Sequence, residues 1–155
     1  MRKHVTWRGL VAGVMLAGLV SLAACSDSGK PAGLGPIIVY KSPTCGCCGK
    51  WVRHLQDNGF EVKAINRNDM NGVKSEAGIP RPLASCHTAI IGGYVIEGHV
   101  PATDIKRLLK ERPDVAGLTV PGMPMGSPGM EGRRQDRYDV LTFTRTGDTT
   151  VFNRY

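Results

Sequence analysis

At 155 residues, with 41% apolar and 21% charged side chains, the chain has room for one domain with a modest core plus an extension. The formal charge of +7 overstates its basicity: Arg2, Lys3 and Arg8 fall in a segment expected to be removed, and taking those three from the 20 Lys and Arg leaves 17 against 13 Asp and Glu. The remaining basic residues are dispersed apart from Arg133 and Arg134, with no stripe of interleaved aromatics, which argues against a nucleic-acid partner.

The N-terminus reads as an address. A basic start leads into an apolar run from Leu10 to Leu22, shorter than the roughly 20 residues a spanning helix needs, and so into an export signal. The run ends on Leu22-Ala23-Ala24-Cys25, which resembles the bacterial lipobox, whose cysteine is lipidated and becomes the first residue of the mature protein. An ordinary cleaved signal with an accidental cysteine is the alternative. By the same resemblance, Ser26 after Cys25 points to the inner leaflet of the outer membrane. The expected organisation is a signal peptide over 1–24, a flexible Ser/Gly/Pro tether over 25–35 beginning at the lipidated Cys25, and one folded domain over 36–155.

Ile37 to Tyr40 is a buried strand and Trp51 to Asn58 a helix with Trp51, Val52 and Leu55 on or near its inner face. Between them lies Ser42-Pro43-Thr44-Cys45-Gly46-Cys47-Cys48-Gly49-Lys50, so three cysteines fall on a strand-to-helix turn. Backbone N–H groups and the positive end of the helix dipole favour anions there, which lowers thiol pKa values. Asn58-Gly59 stops the helix, and Phe60 to Ile65 alternates as a second strand, making a right-handed crossover. Asn66 to Ala77 is a polar loop with a short helix, and Gly78 to Pro82 a rigid connector. It delivers the chain to Ser85-Cys86-His87-Thr88 at the mouth of a third strand, Ala89 to Ile91. Gly92-Gly93 is a two-residue hairpin turn into a fourth strand, Tyr94 to His99. Pro101 opens a helix to about Glu111 with Ile105, Leu108 and Leu109 on its apolar face. A Gly, Pro and Met loop follows over Val120 to Gly132, then a closing hairpin of Tyr138 to Thr144 and Thr149 to Asn153.

This order resembles the thioredoxin fold. The resemblance implies an α/β domain with a four-stranded mixed sheet and flanking helices, carrying the Met/Gly/Pro loop and hairpin as an extension. It also implies that Cys86 and His87 face the Cys45 to Cys48 turn, so that four thiols share one site.

Several chemistries can use such thiols. Cys45 and Cys48 have the C-x-x-C spacing for disulfide exchange, with Cys45 attacking and Cys48 resolving, although Cys47 and Cys86 would offer competing pairings. In an oxidising compartment, a Cys45–Cys48 bridge with the other two thiols free is the easiest disulfide state. Zinc prefers two C-x-x-C pairs closing a tetrahedron, and adjacent Cys47 and Cys48 are poorly placed to chelate one ion together. An iron–sulfur cluster would need assembly on an exported protein. Copper(I) suits the pattern better, since it accepts two or three soft ligands and forms clusters in which thiolates bridge ions. Met123, Met125 and Met130 could supply thioethers, or simply pack. His87 and His99 are candidate ligands, His54 a surface or core residue, and Asp104 a support for the last helix.

Pro43-Thr44-Cys45-Gly46-Cys47-Cys48-Gly49, Ser85-Cys86-His87-Thr88, Gly93 to Pro101 and Pro121 to Glu131 together resemble the CopG-type periplasmic proteins linked to bacterial copper resistance, from about Ile37 to Tyr155. The resemblance implies a cysteine-bridged multinuclear Cu(I) site on Cys45, Cys47, Cys48 and Cys86. His87, His99, Met123 and Met125 would act as further ligands or supports, with a proposed role interconverting Cu(I) and Cu(II). Partners would be copper ions with a periplasmic efflux component or redox partner; a Cu(I) chaperone without redox activity is the neighbouring possibility.

Overall fold

The computed structural model describes residues 35–155. The signal segment 1–24, Cys25 and all but the last residue of the tether lie outside the described residues. Among those described, no helix is long and apolar enough to cross a membrane.

Strand β1 (Ile37–Lys41) buries Ile37 and Val39. It runs into helix α1, which starts at Gly46 and ends at Asp57, five residues earlier than the apolar periodicity marks. The cause is a cap that propensity does not encode: Cys45 sits extended at the N-cap, and its Sγ accepts from the Cys48 backbone N–H at 3.3 Å. Cys47 and Cys48 thus occupy the first helical turn. Cys48, Trp51 and Leu55 share the buried face, and Gly59, with φ of 86°, turns the chain out beyond Asn58.

Strand β2 (Val62–Asn66) lies parallel to β1, completing the crossover. Helix α2 (Met70–Glu76) is capped by Asp69, whose carboxylate accepts from the Gly72 N–H at 2.8 Å. After one 3-10 turn at Arg81–Leu83 the chain enters β3 (His87–Ile91), antiparallel to β1. Gly92 and Gly93, both with positive φ, return it as β4 (Tyr94–Glu97). Helix α3 (Ala102–Glu111) follows.

The sheet is wider than the four strands expected. A short strand β5 (Gly117–Thr119) pairs parallel with β4 and antiparallel with β6 (Asp139–Phe143), which pairs with β7 (Thr149–Arg154). The closing hairpin is therefore the end of one mixed sheet of seven strands in the order β2-β1-β3-β4-β5-β6-β7. Gly117 permits the join, since a side-chain carbon there would collide with the Val95 carbonyl.

Helices α1 and α3 bury Trp51, Leu55, Ile105 and Leu108 in one core with Ile37, Val39, Ala89, Ile91 and Ile96 of the central strands. Thr88 and Glu97 alternate with Ala89 and Ile96 and leave the sheet on the opposite face, where Lys74 of α2 reaches them. The thiol turn and the start of β3 thus meet at one end of the sheet.

Candidate metal centre

Cys86 is brought to the α1 turn from 38 residues away in sequence. Its Sγ lies 3.6 Å from Cys48 Sγ and 3.9 Å from Cys47 Sγ, and Cys47 Sγ is 3.5 Å from Cys45 Sγ. All four sulfurs fall within 4.8 Å of one another. Cys45 and Cys48 are joined as a disulfide with their Cα atoms 5.4 Å apart, and Cys47 and Cys86 are free thiols. Cys48 is fully buried and the other three are half-buried, so among the described residues the accessible free thiols are Cys47 and Cys86.

Cys86 is also the corner of a second group. Its Sγ is 3.1 Å from His99 Nε2 and 3.3 Å from His87 Nδ1, and these three donors likewise lie within 4.8 Å. His99 Nδ1 stands 2.8 Å from the Pro128 carbonyl oxygen. A carbonyl can only accept, so the proton sits on Nδ1 and Nε2 turns its lone pair toward Cys86, the arrangement of a metal-ligating histidine with an orienting partner. His87 lies against Trp51, ring centroids 4.3 Å apart, and edge-on to His99 at 4.9 Å. Its Nε2 has no hydrogen-bond partner among the described residues.

Burial controls the titration here. It pushes the Cys86 thiol up to about 12, with Cys47 adding to the rise, so Cys86 holds its proton until a metal displaces it. Burial also lowers His99, against the opposing pull of the Pro128 carbonyl. His87 lies well below 6.5, again chiefly through burial, then through the charges of His99 and Lys74. Both imidazoles therefore favour the neutral form more than an exposed histidine does. For His87 the folded pKa is depressed, so the unfolded chain binds the extra proton below pH 6.5 and stability is lost as pH falls. The urea midpoint of the metal-free protein is expected to drop between pH 7 and 5, with His87 contributing up to about 1.4 kcal/mol per pH unit. A flat midpoint, or one unaffected by His87→Asn, would contradict this.

The Met-containing loop closes over the centre and is braced internally. Gly126 N–H donates to Met130 O at 2.9 Å, Ser127 Oγ to Pro124 O at 2.7 Å, and Gly129 N–H to Glu131 Oε1 at 2.6 Å. Gly129, with φ of 87°, rests directly on α1: a Cβ there would lie 2.8 Å from Cys47 O and 2.9 Å from Trp51 N. Gly129→Val is expected to lift the loop, cost about 1–3 kcal/mol and free His99 Nδ1 from Pro128. Thermal melts and imidazole nitrogen NMR shifts would register both; unchanged His99 shifts would count against the contact. Met125 and Met130 are half-buried in this loop, whereas Met123 is 53% exposed. His54 stands apart from the sulfurs as an acceptor for the Ala102 N–H at 3.1 Å. The buried Asp104 carboxylate is held by Asn153 and Tyr155, tying β7 to α3.

Behind the centre lies a group that sequence reasoning missed. Glu97, fully buried, accepts from Lys74 Nζ, Ser85 N–H and Thr88 Oγ1, each at 2.6 Å. A charge ending a strand of apolar neighbours was the signal available.

Residues 83–130 match a family described as a protein of unknown function, DUF411. No curated protein matches the chain. Two solved structures named copper resistance protein copG, form 2 and form 1, align at 50% and 49% identity. Each alignment covers 79% of this chain and 98% of the other, with a TM-score of 0.74. The chain belongs to the CopG family of copper resistance proteins. A CopG-family role in copper handling agrees with the donor set: four sulfurs and two imidazole nitrogens make a site too soft for magnesium or calcium and well suited to copper.

Proposed function

We propose that the chain is a periplasmic, lipid-anchored copper resistance protein that takes Cu(I) as its cargo into a cysteine-bridged multinuclear site. The observation that carries this reading is the convergence of Cys45, Cys47, Cys48 and Cys86 within 4.8 Å. Cys47 and Cys48 are neighbours on a helix and serve one tetrahedral ion badly, but sulfurs shared between two-coordinate and three-coordinate Cu(I) ions need no single point of convergence. Thiol-disulfide exchange with an external dithiol, which is oxidised to its own disulfide as it hands over two electrons and two protons, would reduce Cys45–Cys48 and make all four thiols available. His99 and His87 would complete the donor set, while Met125 and Met130 are half-buried in the loop that carries Pro128 and Met123 is on the surface. The thioredoxin-like placement of a cysteine turn beside the segment entering β3 fits the same reading. Reduced protein freed of reductant, loaded anaerobically with Cu(I), should bind several ions per chain and give a short copper-to-copper distance in X-ray absorption; one ion or fewer would count against the cluster. Anchoring through Cys25 predicts that Cys25→Ala moves the protein from the membrane to the soluble periplasmic fraction, and an unchanged distribution would refute the anchor.

The Cys45–Cys48 disulfide favours a second reading, a thiol-disulfide oxidoreductase in which Cys45 attacks and Cys48 resolves. It predicts reduction of a model disulfide without metal, lost in Cys45→Ser. Interconversion of Cu(I) and Cu(II) would distinguish a redox catalyst from a Cu(I) chaperone for an efflux component: catalytic amounts turn over many equivalents in the first case and stop at the loading ratio in the second.

A further inference from the structure

We infer that the buried Lys74–Glu97 ion pair is the positioning device of the thiol centre, with the Glu97 carboxylate fixing both ends of the Ser85–Thr88 segment and so the places of Cys86, His87 and His99. The inference rests on the copper reading for its purpose, though not for its geometry. Glu97 Oε1 accepts from the Ser85 backbone N–H and from Lys74 Nζ, and Oε2 accepts from Thr88 Oγ1, which in turn receives Lys74 Nζ at 3.1 Å. Ser85 and Thr88 bracket Cys86 and His87. Glu97 itself stands two residues before His99, and Gly98 N–H closes the loop onto His87 O at 3.0 Å. One carboxylate therefore touches the chain on each side of Cys86 and His87, and its own backbone leads into His99 two residues on, without its oxygens touching any of the three donors.

Stability alone is a poor reason for such a group. Taking both charges out of water is costly, and apolar pairs of equal volume commonly serve a fold as well or better. What an apolar pair cannot do is hold the Ser85 N–H at hydrogen-bond distance. Partners behind metal ligands orient them in this way, and their loss weakens metal sites whose ligands are intact.

Two double variants of the full chain separate positioning from stability. Lys74→Met/Glu97→Leu removes the acceptor, whereas Lys74→Met/Glu97→Gln keeps a carbonyl oxygen for Ser85 N–H. In metal-free, reduced protein the rate of Cys86 alkylation by iodoacetamide, read against Cys47 by mass spectrometry, should rise severalfold in the Leu variant. The Gln variant should restore most of it. Cu(I) affinity should fall about 10- to 100-fold in the Leu variant and recover in the Gln variant, while melting temperatures follow neither pattern. A folded Leu variant with the natural alkylation ratio, or two doubles that shift alike, would overturn the inference. Should the Leu variant not fold, Thr88→Val cuts one link at nearly constant volume; a smaller rise of the same sign supports positioning and no rise rejects it. If the natural chain binds no Cu(I) while the alkylation ratio still responds, the copper reading fails and the positioning role stands.

Discussion

In anaerobic Cu(I) titrations, Cys86→Ser is expected to reduce bound copper to one ion or fewer per chain and to weaken what remains by about 100-fold or more. Cys86 belongs to both donor groups, the four sulfurs and the sulfur with two imidazoles. It is 3.6 Å from Cys48 Sγ on one side and 3.1 Å from His99 Nε2 on the other. Removing it leaves three sulfurs on a single helical turn and two histidines with no thiolate beside them. Serine is nearly the same size, but its hydroxyl is a hard donor that stays protonated, so it cannot bridge soft ions. Cys86 precedes β3 and is only half-buried, so the fold should survive with a change of roughly 1 kcal/mol or less. The pH dependence gives a second check. The natural thiol, pushed up to about 12, must release its proton on binding, so Cu(I) affinity should rise with pH, and more steeply than in the variant. Unchanged stoichiometry in Cys86→Ser would mean that the site is not shared between the turn and β3.

Much of this centre was legible in the residues because its parts are local motifs joined by a familiar chain order. The thiols, Cys86-His87 and His99 announce themselves by type, and Trp51, Leu55, Ile105 and Leu108 by helical period. Other features carried no such mark. The start of α1 depends on a sulfur acting as a cap acceptor, which lies outside the usual Ser, Thr, Asp and Asn preferences. Strand β5 is three residues long, too short for alternation to register, and it forms only because Gly117 lets two backbones approach. Lys74 and Glu97 look like surface charges until the fold puts α2 over the sheet. The partner that sets the His99 tautomer is the carbonyl of Pro128, and a backbone atom has no signature in sequence. Met123, grouped by composition with Met125, lands in solvent just after Gly122, whose φ is 71°.

Trp51→Ala is expected to be among the most damaging substitutions to stability, costing about 3–5 kcal/mol and lowering the melting temperature by about 10 °C or more for a domain of this size. The indole is fully buried, its Nε1–H donates to the Val100 carbonyl at 2.9 Å, and its ring forms the wall against which His87 lies. Truncation would open a cavity between α1 and the β4–α3 connection, strand that carbonyl and admit water to His87. Trp51→Phe keeps an apolar ring while leaving the Val100 oxygen unpaired, so it should cost less, about 1–3 kcal/mol. Melting temperatures should therefore rank natural chain, Phe, Ala. Hydration of His87 in the Ala variant should raise its folded pKa toward 6.5, the value it departs from through burial, and so flatten the loss of stability below neutral pH. The core and the candidate metal centre share this wall, which is why a residue with no ligating atom should change the titration of a candidate ligand. An Ala variant that keeps the full pH slope would show that the depression of His87 comes from the charges of His99 and Lys74 instead of from the apolar ring.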